Sequence, residues 1–171
     1  LEQIVPIFAF SSKSYVTDIC RLALANIERF VTSDFYIDRI KHISQLEYRC
    51  FAGQKLEGDL DIIVGFASVG EQTAIVDIAN GFSHSNISNL GIEVYDAIGE
   101  FTNCISGLFA TAISKKGSML EITPQFAYEN QFAKGDAYVL PIHIHDSEVL
   151  LFISASDETK AGDMPVVRKI M

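Results

Sequence analysis

The sequence predicts an α+β fold in which two long helices pack on one face of a mainly antiparallel sheet, each helix heading one copy of a duplicated helix-plus-antiparallel-strands unit. Three observations carry this reading. Segments 14–31 and 92–116 hold apolar residues at helical spacing over several turns. Around them lie short runs that alternate in polarity or are wholly apolar, separated by Gly, Asp and Ser in the manner of hairpin strands. A Gly-Asp step before an apolar run also occurs twice, as Leu56-Glu-Gly-Asp59 and Ala133-Lys-Gly-Asp136, an offset of 77 residues that lays the first helix over the second and Asn26 over Asn103. At that offset Ala23 stands where the second unit has Glu100, so only the second unit keeps both polar residues.

The elements follow in order. Val16, Ile19, Cys20, Leu22, Ala23, Ile27 and Phe30 form the apolar stripe of the first helix, with Ser11 to Ser14 offering caps before it. The stretch from Phe35 to Ile43 has room for an extra strand. Gln45 to Gly53 and Asp59 to Ala67 read as a strand pair turning around Leu56 to Asp59, and Gln72 to Phe82 returns to helical period. Ser83 to Leu90 is a polar loop. Ile92 to Lys116 is the longest helical pattern, closed by Gly117 as C-cap, with Ala97, Ile98, Phe101, Ile105, Leu108 and Ala112 expected to bury against the sheet. Met119 to Ile122, Phe126 to Tyr128, Ala137 to His145 and Val149 to Ser154 read as strands, with Asp146 and Ser147 turning the last pair. Val166, Val167 and Ile170 suit a short final element.

Composition narrows the function classes. At 171 residues the chain fits one compact domain over 1–171, and 49% hydrophobic against 20% charged residues excludes a disordered chain. A net charge of −9 without a Lys/Arg cluster disfavours nucleic acid as a partner. The longest apolar runs, Ile62 to Ala67 and Val149 to Ile153, fall well short of the ~20 residues that span a bilayer, so no membrane insertion is expected. The chain opens at Leu1 without a charged and then apolar leader, so no secretory signal is read. Cys20, Cys50 and Cys104, odd in number and far apart, suit reduced and mostly buried thiols of a cytoplasmic protein. His143 and His145 beside Asp146 fall short of a metal-ligand set, and no metal site is assigned.

The chemistry-bearing residues lie on the second long helix. Asp96, Glu100, Asn103 and Gly107 sit at offsets 0, 4, 7 and 11, which at about 100° per residue places them within about 60° of helix circumference. They form an outward ridge about 16 Å long, a footprint suited to a partner's surface more than to a small metabolite. An amphipathic helix shows such a face to solvent without any function. Here, though, Gly99, Asn103 and Gly107 are poor mid-helix residues, and an interior Gly costs about 1 kcal/mol relative to Ala.

The run Asp96-Ala-Ile-Gly-Glu100-Phe-Thr-Asn103-Cys-Ile-Ser-Gly107 resembles the [D/S]-x3-E-x2-N-x3-G helix of the CheX, CheC and FliY phosphatase family. Leu56-Glu-Gly-Asp-Leu60, Leu120-Glu-Ile-Thr-Pro124 and Leu140-Pro-Ile-His143 resemble CheX at corresponding places, and the similarity covers most of residues 44–154. Phe101 and Thr102 depart from it, standing where members often carry small residues.

The resemblance implies a CheC-like fold of the single-site branch. It also implies hydrolysis of the aspartyl phosphate of a phosphorylated CheY-like response regulator, in chemotaxis or another two-component pathway. Glu100 and Asn103 are then the catalytic pair, Asn103 orienting the attacking water and Glu100 anchoring the regulator, with Asp96 and Gly107 as partner contacts. Magnesium is expected on the regulator's own carboxylates, leaving this chain no cofactor of its own. The alternative is a non-catalytic CheX-like docking module that binds regulators or a signalling or flagellar assembly. The family offers precedent for dimers, and apolar strand edges such as Val149 to Ile153 invite pairing between chains. A homodimer formed away from the ridge is therefore expected.

Overall fold

The computed structural model describes residues 14–154 and 168–169. In chain order the elements are α1 (Ser14–Phe30), β1 (Phe35–Ile37), β2 (Lys41–Gly58), β3 (Ile62–Ser68), α2 (Thr73–Ser83), α3 (Ile92–Lys115), β4 (Leu120–Ile122), β5 (Phe126–Ile144), β6 (Ser147–Ser154) and β7 (Arg168–Lys169). Every strand pairing is antiparallel, in the order β1-β5-β6-β3-β2-β4, with β7 against the start of β5. The long strands β2 and β5 also pair with each other from Lys41↔Val139 to Gly53↔Phe126, which curls the sheet back on itself.

The two short central strands dictate that curl. All seven residues of β3 are buried, and so are seven of the eight of β6. Ile62, Val64 and Phe66, with Val149, Leu151 and Ile153, face the helices and join Ile19, Ala23, Ile27, Ile98, Phe101 and Ile105 in the main core. The alternate residues Ile63, Ala67, Leu150 and Phe152 face the other way, where Tyr48, Phe51, Ala133, Ala137 and Val139 from β2 and β5 cover them in a second, smaller core. A run that is apolar at every position needs cover on both faces, and only the bent arm of β2 and β5 is placed to cover the second.

The arm changes face at Asn130, whose φ of +51° breaks the alternation: Tyr128 enters the small core from an even position, Ala133, Ala137 and Val139 from odd ones. Gly53 and Gly65 pair across β2 and β3 beneath the Phe51 ring, where a Cβ on either would stand 2.5 Å from a carbonyl oxygen of the facing strand.

Several boundaries differ from the sequence reading for physical reasons. Predicted strands at Phe126–Tyr128 and Ala137–His145 are one strand, because the polar stretch between them pairs with the first half of β2 as the arm. β2 likewise runs through Leu56 to Gly58, held there by β4, and the turn falls at Asp59–Asp61. The last hairpin turns at His145 and Asp146, His145 having a φ of +54°, and Ser147 already belongs to β6. Phe35–Ile43 does hold an extra strand, β1, on the outer side of β5. Leu150–Ile153 pairs with β3 on one side and β5 on the other, so this stretch offers no free edge for pairing between chains. The caps at Ser11 to Lys13 and the apolar residues Val166, Val167 and Ile170 lie outside the described residues.

The duplication is visible in the element order, helix, short strand, long strand, strand, given twice with α2 between. Its spacing differs from the sequence reading. β1 and β4, β2 and β5, and β3 and β6 each start 85 residues apart, whereas α1 and α3 start 78 apart. The longer second helix, 24 residues against 17, absorbs the difference. Asn26 and Asn103 therefore correspond to within a residue along their helices, while the two Gly-Asp steps do not correspond: Gly58 ends β2 and Gly135 lies inside β5.

Replacing Gly53 by Ala is expected to lower unfolding stability by about 1–3 kcal/mol, the cost of forcing a methyl into a filled site. Gly107→Ala, where an added Cβ meets nothing within 4 Å, is expected to raise it by up to about 1 kcal/mol. Urea unfolding of the two variants checks both signs.

Candidate functional site

α3 seats itself on the sheet through Val94, Ile98, Phe101, Ile105 and Phe109, all buried. Phe101 is boxed by the rings of Phe30, Phe66 and Phe82 at 6.3, 5.6 and 5.3 Å. Thr102, also buried, donates its hydroxyl to the Ile98 carbonyl at 2.8 Å, so neither Phe101 nor Thr102 reaches the partner-facing side. Near the helix start the Tyr95 hydroxyl donates to Glu129 Oε1 at 2.6 Å, tying α3 to β5. Gly117, with a φ of +91°, ends the helix: its own N–H bonds the Ser114 carbonyl and that of Ser118 bonds Ile113, satisfying two terminal carbonyls. Ala97 buries as expected, but Leu108 is 48% exposed and Ala112 is exposed too. Phe30 and Phe82, from the last turns of α1 and α2, close over Phe101, and that cover does not extend two turns on to Leu108.

The four ridge residues share the outer side of α3 unequally. Asp96 and Glu100 are exposed, whereas Asn103 and Gly107 are half-buried, so the ridge leans into the seam between helix and sheet at Asn103. There the seam is polar. Gln54 of β2, only 2% exposed, donates from Nε2 both to Asn103 Oδ1 at 2.9 Å and to the Thr123 carbonyl at 2.8 Å. Two acceptors on one nitrogen fix which end of the Gln54 amide is which. Its Oε1 is buried and has no hydrogen-bond partner. Gln125, also buried, reaches Glu100 Oε1 from Nε2 at 3.4 Å. The segment after β4 is strapped to β2 by Thr123, whose N–H and hydroxyl both donate to the Lys55 carbonyl at 3.0 and 2.8 Å. Gln54, Asn103, Ile122, Thr123, Pro124 and Gln125 line a shallow, open cleft of about 410 Å³.

The fold thus brings Glu100 and Asn103 to one cleft and leaves Asp96 and Gly107 at the two ends of the ridge. Gln54 and Gln125 were not anticipated from sequence. One signal was available: Gln54 interrupts the otherwise apolar row Cys50, Ala52, Leu56 that β2 turns toward the helices. The corresponding position on α1 is closed, since Asn26 spends its Nδ2 on the Leu22 carbonyl of its own helix at 2.7 Å.

Among the described residues no group of three or more His, Cys, Asp or Glu is placed to hold a metal ion, and no helix is long and apolar enough to cross a membrane. His143 and His145 do not share a strand face. His143 stacks on Tyr36 at 4.6 Å with Glu148 Oε2 3.3 Å away, while His145 sits in the turn beside the Ser33 hydroxyl at 3.2 Å. Cys20 and Cys50 are buried, and burial raises both thiol pKa values, that of Cys50 to about 12. Cys104, expected among mostly buried thiols, is exposed. Partial desolvation and then the Glu100 carboxylate raise its pKa.

No protein-family model and no curated protein matches the chain. Solved structures do. The chemotaxis protein CheX from Desulfovibrio desulfuricans superposes with a TM-score of 0.67 at 11% identity, over 82% of this chain and 98% of that one. CheX from Vibrio vulnificus gives 0.67 at 11% identity, over 83% and 99%. The CheX-CheY-BeF3-Mg2+ complex from Borrelia burgdorferi gives 0.61 at 16% identity, over 81% and 95%. The chain therefore has the fold of these chemotaxis proteins, the CheC-like α+β fold that the ridge motif implied.

In the native protein one thiol, Cys104, is expected to react readily with a maleimide, and all three once the chain is unfolded. Mass spectrometry of labelled peptides checks the count, and Cys104→Ser is expected to abolish the native signal.

Proposed function

We propose that this chain is a protein phosphatase that hydrolyses the aspartyl phosphate of a CheY-like response regulator in the cytoplasm. The observation that carries the reading is the placement of Glu100 and Asn103, one turn apart on the outer side of α3, at an open cleft walled by buried amides. The fold shared with CheX proteins supports it, and a fold-mate solved together with CheY, BeF3 and Mg2+ supports a response regulator as the partner. The cleft is shallow and sits on a convex helix, which suits another protein's active site better than a free metabolite.

The chemistry asks little of a side chain beyond placement. A water oxygen attacks phosphorus in line and the bond from phosphorus to the regulator's aspartyl oxygen breaks. The electron pair stays on the released carboxylate, and the water proton leaves with inorganic phosphate. Because the transition state is loose, holding the water in line contributes more than a strong base. Asn103 supplies an amide for that purpose, its Nδ2 donating and its Oδ1 accepting. Glu100, exposed and backed by Gln125, anchors the regulator through a cationic side chain. Asp96 makes a rim contact, and Gly107, with open space around it, lets the partner backbone approach. Magnesium on the regulator's carboxylates offsets the phosphoryl charge, this chain supplying none of its ligands. A homodimer would form away from α3, leaving the ridge free.

The test is the decay rate of a phosphorylated CheY-like regulator with magnesium. Wild type is expected to accelerate it, Asn103→Ala to lose most of that acceleration, on the order of 100-fold as for other lost positioning groups, and Glu100→Ala to weaken chiefly the affinity. Saturable binding without acceleration would assign the chain to the docking-module reading instead.

A further inference from the structure

We infer that Gln54 is the positioning residue of this site: it turns the Asn103 amide so that Oδ1 faces the sheet and the Nδ2 donors are left for the phosphorylated regulator. The inference rests on the phosphatase reading for its consequence, but the contact itself does not. Asn103 Oδ1 accepts from Gln54 Nε2 at 2.9 Å, and Asn103 Nδ2 has no acceptor among the described residues. An unrestrained asparagine amide rotates freely between two nearly isoenergetic ends, and half of its population would present the wrong atom to the water. Gln54 cannot itself reverse to serve the flipped form, because the same Nε2 is held by the Thr123 carbonyl at 2.8 Å. The orientation passes from backbone to Gln54 to Asn103.

Two features speak against a role confined to the fold. Gln54 is 2% exposed, and its Oε1 is buried without a partner, a site at which an apolar side chain would be less costly. The duplicated half makes that choice: the helix-facing residues in the matching stretch of β5 are Tyr138, Leu140 and Ile142, with no amide among them, and there the helix carries Ala23 and Asn26 in place of Glu100 and Asn103. The buried amide occurs where Asn103 needs orienting and not in the copy whose asparagine is bonded to its own helix. One of the two Oδ1 lone pairs remains free, so the pinned amide can still accept from the attacking water while Nδ2 steadies a phosphoryl oxygen.

The experiment uses the full chain with Gln54→Met, which keeps length and apolar packing and removes the donor, and Gln54→Glu, which keeps the acceptors and inverts the polarity offered to Asn103. Turnover of the phosphorylated regulator is expected to fall about 5- to 10-fold in Gln54→Met, the range of one neutral hydrogen bond. The Gln54→Glu loss is expected to be larger, with affinity for the beryllofluoride-activated regulator within twofold of wild type in both. Introduced into Asn103→Ala, Gln54→Met is expected to cost nothing further. Unchanged turnover, or a loss of equal size without Asn103, overturns the inference. If wild type itself fails to accelerate dephosphorylation, the phosphatase reading fails, and the contact is then judged by the Asn103 side-chain amide resonances. These are expected to move toward free-amide positions in whichever of the two variants folds, and resonances that stay in place overturn the inference.

Discussion

Burial of β3 and β6 on both faces is the constraint from which the rest of the molecule follows. Their helix-facing side chains require a layer of helices, which α1, α2 and α3 supply, and their opposite side chains require a second cover that no helix among the described residues provides. The arm of β2 and β5 fills that need, which is why those strands run to 18 and 19 residues and cross each other. With both faces sealed the sheet is a rigid floor. α3 is pressed onto it by a cluster of phenylalanines, and its outer side is presented at a fixed height and angle.

At one place the helix–sheet seam departs from apolar packing. An amide placed at 2% exposure with an orphaned carbonyl costs about 1–3 kcal/mol of stability relative to a satisfied or apolar side chain. That cost falls beside Asn103 and is absent from the repeated unit, where Leu140 and Ile142 pack without polar atoms. Gene duplication explains the shared architecture, and the asymmetry of the polar residues shows that the two halves now differ in what they expose. The mid-helix Gly107, around which an added Cβ would meet nothing, is a second local concession on the same ridge.

Much of this was legible in the chain. The helical period of 14–31 and 92–116 gave helices whose ends agree within a residue or two, and the unbroken apolar runs at 62–67 and 149–153 marked the doubly covered strands. The ridge of Asp96, Glu100, Asn103 and Gly107 could be laid out by angle alone. What failed depended on tertiary pairing. Residues 129–136 read as a loop because their polar alternation signals exposure on one face, and nothing local announces that the other face covers Ala67 and Phe152 from across the sheet. The repeat offset was drawn from a Gly-Asp coincidence, when the strands keep 85 residues and only the helices keep about 77. Leu108 and Ala112 have the right phase for burial, but phase does not report how far α1 and α2 reach. Gln54 was the residue most worth noticing, a lone amide in a row of core positions, and its meaning depended on a helix 49 residues away.

The account stands or falls on whether α3 is where a response regulator binds. Hydrogen exchange measured on the chain with and without a beryllofluoride-activated CheY-like regulator and magnesium addresses it directly. Slowed exchange along 96–107 and through the adjoining segment 122–125, with the β1 edge at Tyr36 and His143 unaffected, is the predicted footprint. Protection centred on that β1 edge or on the arm of β2 and β5, with α3 unchanged by a bound regulator, would contradict it.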